Sequence, residues 1–105
     1  MNQSWINLIK RINNINNQQE LKGIKNGYNW RYVGQVVNGL REGKGIVYYN
    51  DGERYEGDYR NGNREGKGIY YYKSGDREMG DYYNNKEIGK HVMLTRNGEV
   101  KINNY

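Results

Sequence analysis

The sequence predicts an all-β chain: an elongated, single-layer antiparallel sheet built from β-hairpin repeats, with a short N-terminal helix or coil before it. Three observations predict this. The chain repeats itself with a period of 23 residues; two kinds of tight-turn signal alternate within each period; and the segments between turns are rich in Tyr, Val and Ile with interspersed Gly.

The repeat fixes the register. Tyr32–Arg54 and Tyr55–Arg77 agree at 14 of 23 positions without a gap, and residues 78–100 match the second unit at 7. Residues 20–31 and 101–105 read as partial units at either end. Glu20-Leu21-Lys22-Gly23-Ile24 echoes Glu42-Gly43-Lys44-Gly45-Ile46, which suggests a decayed half-unit in front. The organisation expected is therefore an N-terminal extension over 1–19 and a repeat array over 20–105.

Turns come next. Asn38-Gly39, Asn61-Gly62 and Asn84-Asn85 mark one loop of each unit, and Asp51-Gly52, Ser74-Gly75 and Asn97-Gly98 mark the other. These dipeptides supply the positive φ that tight hairpins need. Strands are expected near 30–37, 45–50, 53–60, 68–73, 77–83 and 90–95. About eight strands in one layer would span ~38 Å at the usual strand spacing.

Glycine within strands needs a reason, because it weakens a strand on its own. Alternation puts Tyr55, Gly57 and Tyr59 on one face, and Gly66, Gly68, Tyr70 and Tyr72 together on the next strand. A residue without Cβ leaves a trough that a neighbouring Tyr ring can cover. Rings over glycines would give a thin apolar layer without a second sheet.

The run Tyr55-Glu56-Gly57-Asp58-Tyr59-Arg60-Asn61-Gly62, followed by Gly66-Lys67-Gly68-Ile69-Tyr70-Tyr71-Tyr72 and Gly75, resembles a MORN repeat (membrane occupation and recognition nexus). Tyr32–Gly52 is similar, with Val36 where the family usually has an aromatic. The third unit departs: Glu78 stands for the leading Tyr, Asn85 and His91 for glycines, and Leu94-Thr95 for tyrosines. It reads as a capping repeat, with its aromatic packing open to question. The resemblance implies elongated twisted sheets, self-association, and scaffold roles at membranes, in cilia and in the cytoskeleton.

Composition excludes much else. The chain has 105 residues, 34% apolar, with 12 Tyr, 15 Gly, no Phe and no Cys. No disulfide or thiolate metal site can form, which suits an intracellular compartment. Regular tyrosines argue against disorder. No apolar run reaches the ~18 residues of a membrane span, and no signal-peptide core is evident. Net charge is +5, but residues 1–27 hold +3 of it and the three units sum to zero. That footprint disfavours nucleic acid, which wants a concentrated basic face.

At the N-terminus, Ser4 can cap a helix carrying Trp5, Leu8, Ile9, Ile12 and Ile15 or Asn16 along one side. It reads as a helix packed on the sheet end or a partner, as a membrane-surface helix, or as an import segment free of acids over 1–19.

No catalytic constellation is present. Gly39–Gly45 approaches a phosphate-binding loop but is one residue short between its glycines, and Gly45 stands where Ser or Thr is needed. His91 is the sole histidine and reads as a glycine replacement. Catalytic, cofactor and metal residues are therefore expected to be none. The leading expectation is a non-catalytic interaction scaffold, a small subunit of a cytoskeletal, ciliary or organellar assembly, binding other proteins or a second copy of itself. The candidate interface is Trp5, Tyr32, Tyr49, Tyr55, Tyr59, Tyr70 and Tyr72. The alternative is a peripheral module touching anionic lipid headgroups. Cytoplasm, cilium or cytoskeleton is the favoured location, with the mitochondrion the other candidate.

Overall fold

The computed structural model describes residues 3–5 and 18–105. Residues 3–5 form one helical turn, and the rest of the expected N-terminal helix lies outside the described residues. Residues 18–105 form eight antiparallel strands in one open sheet, ordered in space as in sequence: β1 (Gln19–Lys25), β2 (Tyr28–Val37), β3 (Leu40–Tyr49), β4 (Arg54–Arg60), β5 (Asn63–Tyr71), β6 (Arg77–Tyr83), β7 (Lys86–Leu94) and β8 (Val100–Asn104).

The turns explain why β3, β5 and β7 begin earlier than expected. Asn38-Gly39, Asn61-Gly62 and Asn84-Asn85 all have both residues at positive φ, as does Asn26-Gly27 before β2. Two-residue turns of that kind match the strand twist, so pairing starts at once on either side. The alternate turns are longer, closed by Gly52 N–H to Tyr49 O (3.1 Å), Gly75 to Tyr72 (3.0 Å) and Gly98 to Thr95 (2.9 Å).

Each unit also carries one register shift, after Gly34, after Gly57 and after Met79. The glycines facing these shifts, Gly43, Gly66 and Gly89, have φ of 64°, 102° and 70°. Gly66 was expected to share the packing role of Gly68. It serves instead at a bulge, where the left-handed backbone makes glycine the favoured residue.

Across the middle of the sheet runs an unbroken row of five glycines: Gly34 pairs with Gly45, Gly45 with Gly57, Gly57 with Gly68, and Gly68 with Gly80. On the inner face, rings lie across this row. Tyr32 covers Gly45 and Tyr55 covers Gly68 so closely that a Cβ on either glycine would overlap the ring. The rings then meet edge to face in one chain. Tyr32–Tyr59 centroids are 5.3 Å apart, Tyr59–Tyr55 5.5 Å, Tyr55–Tyr82 5.1 Å, Tyr82–His91 5.4 Å and His91–Tyr105 4.9 Å. Each such pair contributes roughly 0.5–1.5 kcal/mol beyond its buried area. A single layer thus acquires a core: Tyr32, Tyr55, Tyr59, Tyr82 and Val47 are all under 5% exposed.

The third unit keeps this core by an exchange. Glu78 occupies the position of Tyr32 and Tyr55, and His91 that of Gly45 and Gly68. The ring now comes from the opposite strand: His91 on β7 covers Gly80 on β6. Its Nε2 meets the Asp81 carbonyl at 2.8 Å, as the Tyr32 hydroxyl meets that of Gln35 at 2.7 Å. Aromatic packing, open to question in the sequence, continues through this unit.

The echo of residues 20–24 with 42–46 does not survive as a register. Gln19, not Gly23, pairs with Gly34, and Leu21 pairs with Tyr32. Leu21 fills the inner site beside Tyr32, while the Trp30 ring covers Gly23.

Candidate functional site

The inner face carries a groove of about 800 Å³ whose floor is Trp30, Val47, Tyr49, Tyr59, Tyr70 and Tyr72. Alternation along β2 to β5 puts these rings on the same side as the glycine row, and the turns form two walls.

One wall is built on Arg41 and Arg64, one repeat apart. Arg41 Nη2 donates to the Gly62 carbonyl at 2.9 Å, and its guanidinium lies 5.1 Å from the Trp30 ring and 5.0 Å from Tyr59. Arg64 likewise donates to Asn85 O and sits over Tyr82 and Tyr55 at 5.0 and 5.4 Å. Each fastens the next hairpin turn to the aromatic floor. The planar fork does two jobs here that an ammonium could not do together.

The other wall holds Asp51 and Glu53. The Tyr70 hydroxyl donates to Glu53 Oε1 at 2.8 Å, and the Lys73 amide donates to Oε2 at 2.9 Å. Burial, and then that bond to Glu53, raise the Tyr70 hydroxyl well above the usual phenol range. Burial likewise raises Tyr32, Tyr55, Tyr59, Tyr72 and Tyr82. These raised hydroxyls keep their protons and act as hydrogen-bond donors or acceptors.

The tyrosines singled out in the sequence divide in two. Tyr32, Tyr55 and Tyr59 are buried in the ring chain. Tyr49, Tyr70 and Tyr72 are partly exposed and open into the groove. Trp5 is 59% exposed. Sequence reasoning missed Trp30, Arg41 and Arg64. Their 23-residue recurrence was a signal for the two arginines.

The string that approached a phosphate-binding loop is a hairpin: turn at Gly39, bulge at Gly43, ladder position at Gly45. His91 is wholly buried with Nδ1 3.4 Å from Glu78 Oε2, and Tyr105 and Asn103 donate to the same carboxylate. Among the described residues no group of three or more His, Cys, Asp or Glu could hold a metal ion.

A family model for the MORN repeat matches residues 32–54 and 55–77. No curated protein matches the chain. MORN repeats are in general non-catalytic modules that mediate protein or membrane-lipid interactions. With two matched units in register on one open sheet, and a third that keeps their packing by exchanging ring and carboxylate, the chain carries MORN repeats over residues 32–77 and continues their sheet beyond them.

Proposed function

We propose that this chain is a non-catalytic scaffold whose inner groove receives a segment of a partner protein within a cytoskeletal, ciliary or organellar assembly. The observation that carries the reading is the split among the tyrosines. Three are spent on the sheet's own core, while Tyr49, Tyr70 and Tyr72 stay open beside Trp30 in one groove. Tyr and Trp are favoured at interfaces because they give large rigid area and keep a polar tip. A sheet without an opposing layer leaves that area to a partner or to water. Trp5 would serve as a second contact.

The test is purification of the native chain with its companions, alongside a Tyr49→Ser/Tyr72→Ser variant. A defined companion lost from the variant, with the β-sheet circular dichroism unchanged, supports the groove. Equal recovery rejects it. Immunolocalisation of the chain addresses the compartment.

A second reading, contact with anionic lipid, draws on the opposite face. The repeat units sum to zero charge, yet strand alternation gathers Arg31, Arg54 and Arg77 on the outer face. Flotation with vesicles containing phosphatidylserine tests it, and binding should fall steeply with salt.

A further inference from the structure

The outer face has an order of its own. One ladder of paired residues crosses all eight strands: Glu20, Val33, Ile46, Glu56, Ile69, Met79, Val92 and Ile102, each the register partner of the next. Six of the eight are apolar, and Met79 and Ile102 are 41% and 47% exposed. A shallow groove follows the ladder from Val33 to Val92.

Beside this stripe runs a second row. Arg31 pairs with Tyr48, Tyr48 with Arg54, Arg54 with Tyr71, and Tyr71 with Arg77. The Arg31 and Arg54 guanidiniums lie 4.8 and 3.8 Å from the Tyr48 and Tyr71 ring centroids. Stacking holds them upright beside the apolar stripe. Arg31 also approaches Glu20 at 3.6 Å, but among the described residues no carboxylate lies within ion-pair distance of Arg54 or Arg77. On the other flank Lys44 and Lys67 are neutralised by Asp58 and Asp81 at 2.6 and 3.1 Å. The face is therefore apolar along its middle except at Glu56, and its cations gather along one side apart from Lys90 on the other.

The spacing of that cationic row selects its occupant. One arginine appears every second strand, so successive cations stand ~9.6 Å apart at the usual strand separation. Seven residues of an α-helix rise ~10.5 Å. The mismatch is about 1 Å per interval, within the reach of long arginine side chains.

We propose that the outer face binds an acidic amphipathic α-helix of a partner protein, laid across the strands. Its apolar seam rests on Ile46, Ile69, Met79 and Val92, and acidic residues at every seventh position meet Arg31, Arg54 and Arg77. This surface is independent of the inner groove. The chain's own residues 1–19 carry Lys10 and Arg11 and no acid, so they lack the charge this row selects.

The probe is a 21-residue synthetic helix with a Leu seam and Glu at every seventh position on one flank. A second peptide carries Lys at those positions, and vesicles of 70% phosphatidylcholine and 30% phosphatidylserine stand for a membrane. Titration of the full chain should show the Glu helix binding and weakening with salt. Arg77→Glu should weaken it about tenfold and narrow its advantage over the Lys helix, which Arg31 and Arg54 still repel. Arg77 is solvent-exposed at the start of β6, and unchanged circular dichroism would confirm that the variant is folded. Tyr72→Ser, an inner-face change, should leave Glu-helix binding intact, so the groove can fail without this face failing. Equal binding of the Lys helix overturns the proposal. So does binding of vesicles without the Glu helix, or an Arg77→Glu variant that binds undiminished.

Discussion

Glu78 and His91 have exchanged the roles of tyrosine and glycine: one gives up a ring at the inner face and the other supplies it from across the sheet. Both are essentially unexposed, with His91 Nδ1 3.4 Å from Glu78 Oε2. Because the Asp81 carbonyl can only accept, Nε2 carries a proton. The two residues lie 13 apart in sequence, and neither has a reason to be there without the other.

Coupling between them should therefore be large. His91→Gly alone removes the ring over Gly80 and leaves the buried Glu78 carboxylate to Asn103 and Tyr105 across a cavity, at a cost of about 3–5 kcal/mol. Glu78→Tyr alone forces two rings into one site. The double change recreates the Tyr/Gly pair of the first two units and should lie within about 1 kcal/mol of the parent. Thermal unfolding of the four proteins gives the cycle. Additive losses would mean the pair is not an exchange.

The glycine row predicts position-dependent costs. A Cβ at Gly68 runs into the Tyr55 ring, whereas one at Gly57 meets the Lys67 carbonyl and, at 2.7 Å, the Gly68 Cα and the Tyr55 hydroxyl. Gly68→Ala should therefore tilt the ring and weaken the near-ultraviolet tyrosine dichroism, costing about 1–3 kcal/mol. Gly57→Ala should cost at least as much, because backbone cannot swing aside. Gly98 has φ +87° and open space around it, so Gly98→Ala should cost only about 1 kcal/mol of backbone strain with the dichroism unchanged.

Much of this was legible in the sequence for a physical reason. Period-2 alternation and Asn-Gly turns are local, so strand order, face assignment and ring-over-glycine packing follow from short stretches such as Tyr55–Gly68. What stayed hidden depends on pairs across strands. Glu78 and His91 each read as a loss because the compensation lies on the neighbouring strand. Gly66 looked like another ladder glycine, since bulges leave no mark on composition. The register of β1 stayed hidden because Gly23 imitates Gly45 in sequence but faces Trp30 in space. The groove's arginines looked like ordinary surface charge until their carbonyl and ring partners were in place.

Alkaline pH should unfold the chain cooperatively. The hydroxyls of Tyr55, Tyr59, Tyr70 and Tyr82 are raised well above their ordinary value of 10.0, chiefly by burial. The folded state holds these protons and the unfolded state releases them more readily. Their stabilising contribution is complete below pH 10 and is lost as pH rises beyond it. Tyrosinate absorbance near 295 nm and β-sheet circular dichroism should change together above that point. Ionisation of these buried rings with the sheet intact would contradict the burial.

Arg64 should not be replaceable by lysine. A lysine could reach the Asn85 carbonyl but could not also set a planar guanidinium between the Tyr82 and Tyr55 rings. Arg64→Lys is expected to cost about 1–2 kcal/mol and to raise hydrogen exchange in the Asn84-Asn85 turn. Arg64→Met, which keeps the stem, should lose more of the turn protection than of the global stability.

Buried and open rings of the inner face should respond differently to truncation. Tyr59 is 4% exposed and touches both Tyr32 and Tyr55 edge to face, so it links two units of the ring chain. Tyr59→Ser removes that link and leaves a cavity beneath Arg41, at a cost of about 3–5 kcal/mol. Tyr72 follows β5, packs on Tyr70 at 4.8 Å, and keeps one side open to the groove. Tyr72→Ser should cost about 1 kcal/mol or less and leave the sheet intact. Partner capture behaves the opposite way: Tyr72→Ser abolishes it in a folded protein, whereas Tyr59→Ser reduces it only in proportion to the unfolded fraction. Chemical denaturation gives that fraction for each variant. If Tyr72→Ser keeps its partner while Tyr59→Ser, corrected for folding, loses it, the contact lies on the ring chain and not in the groove.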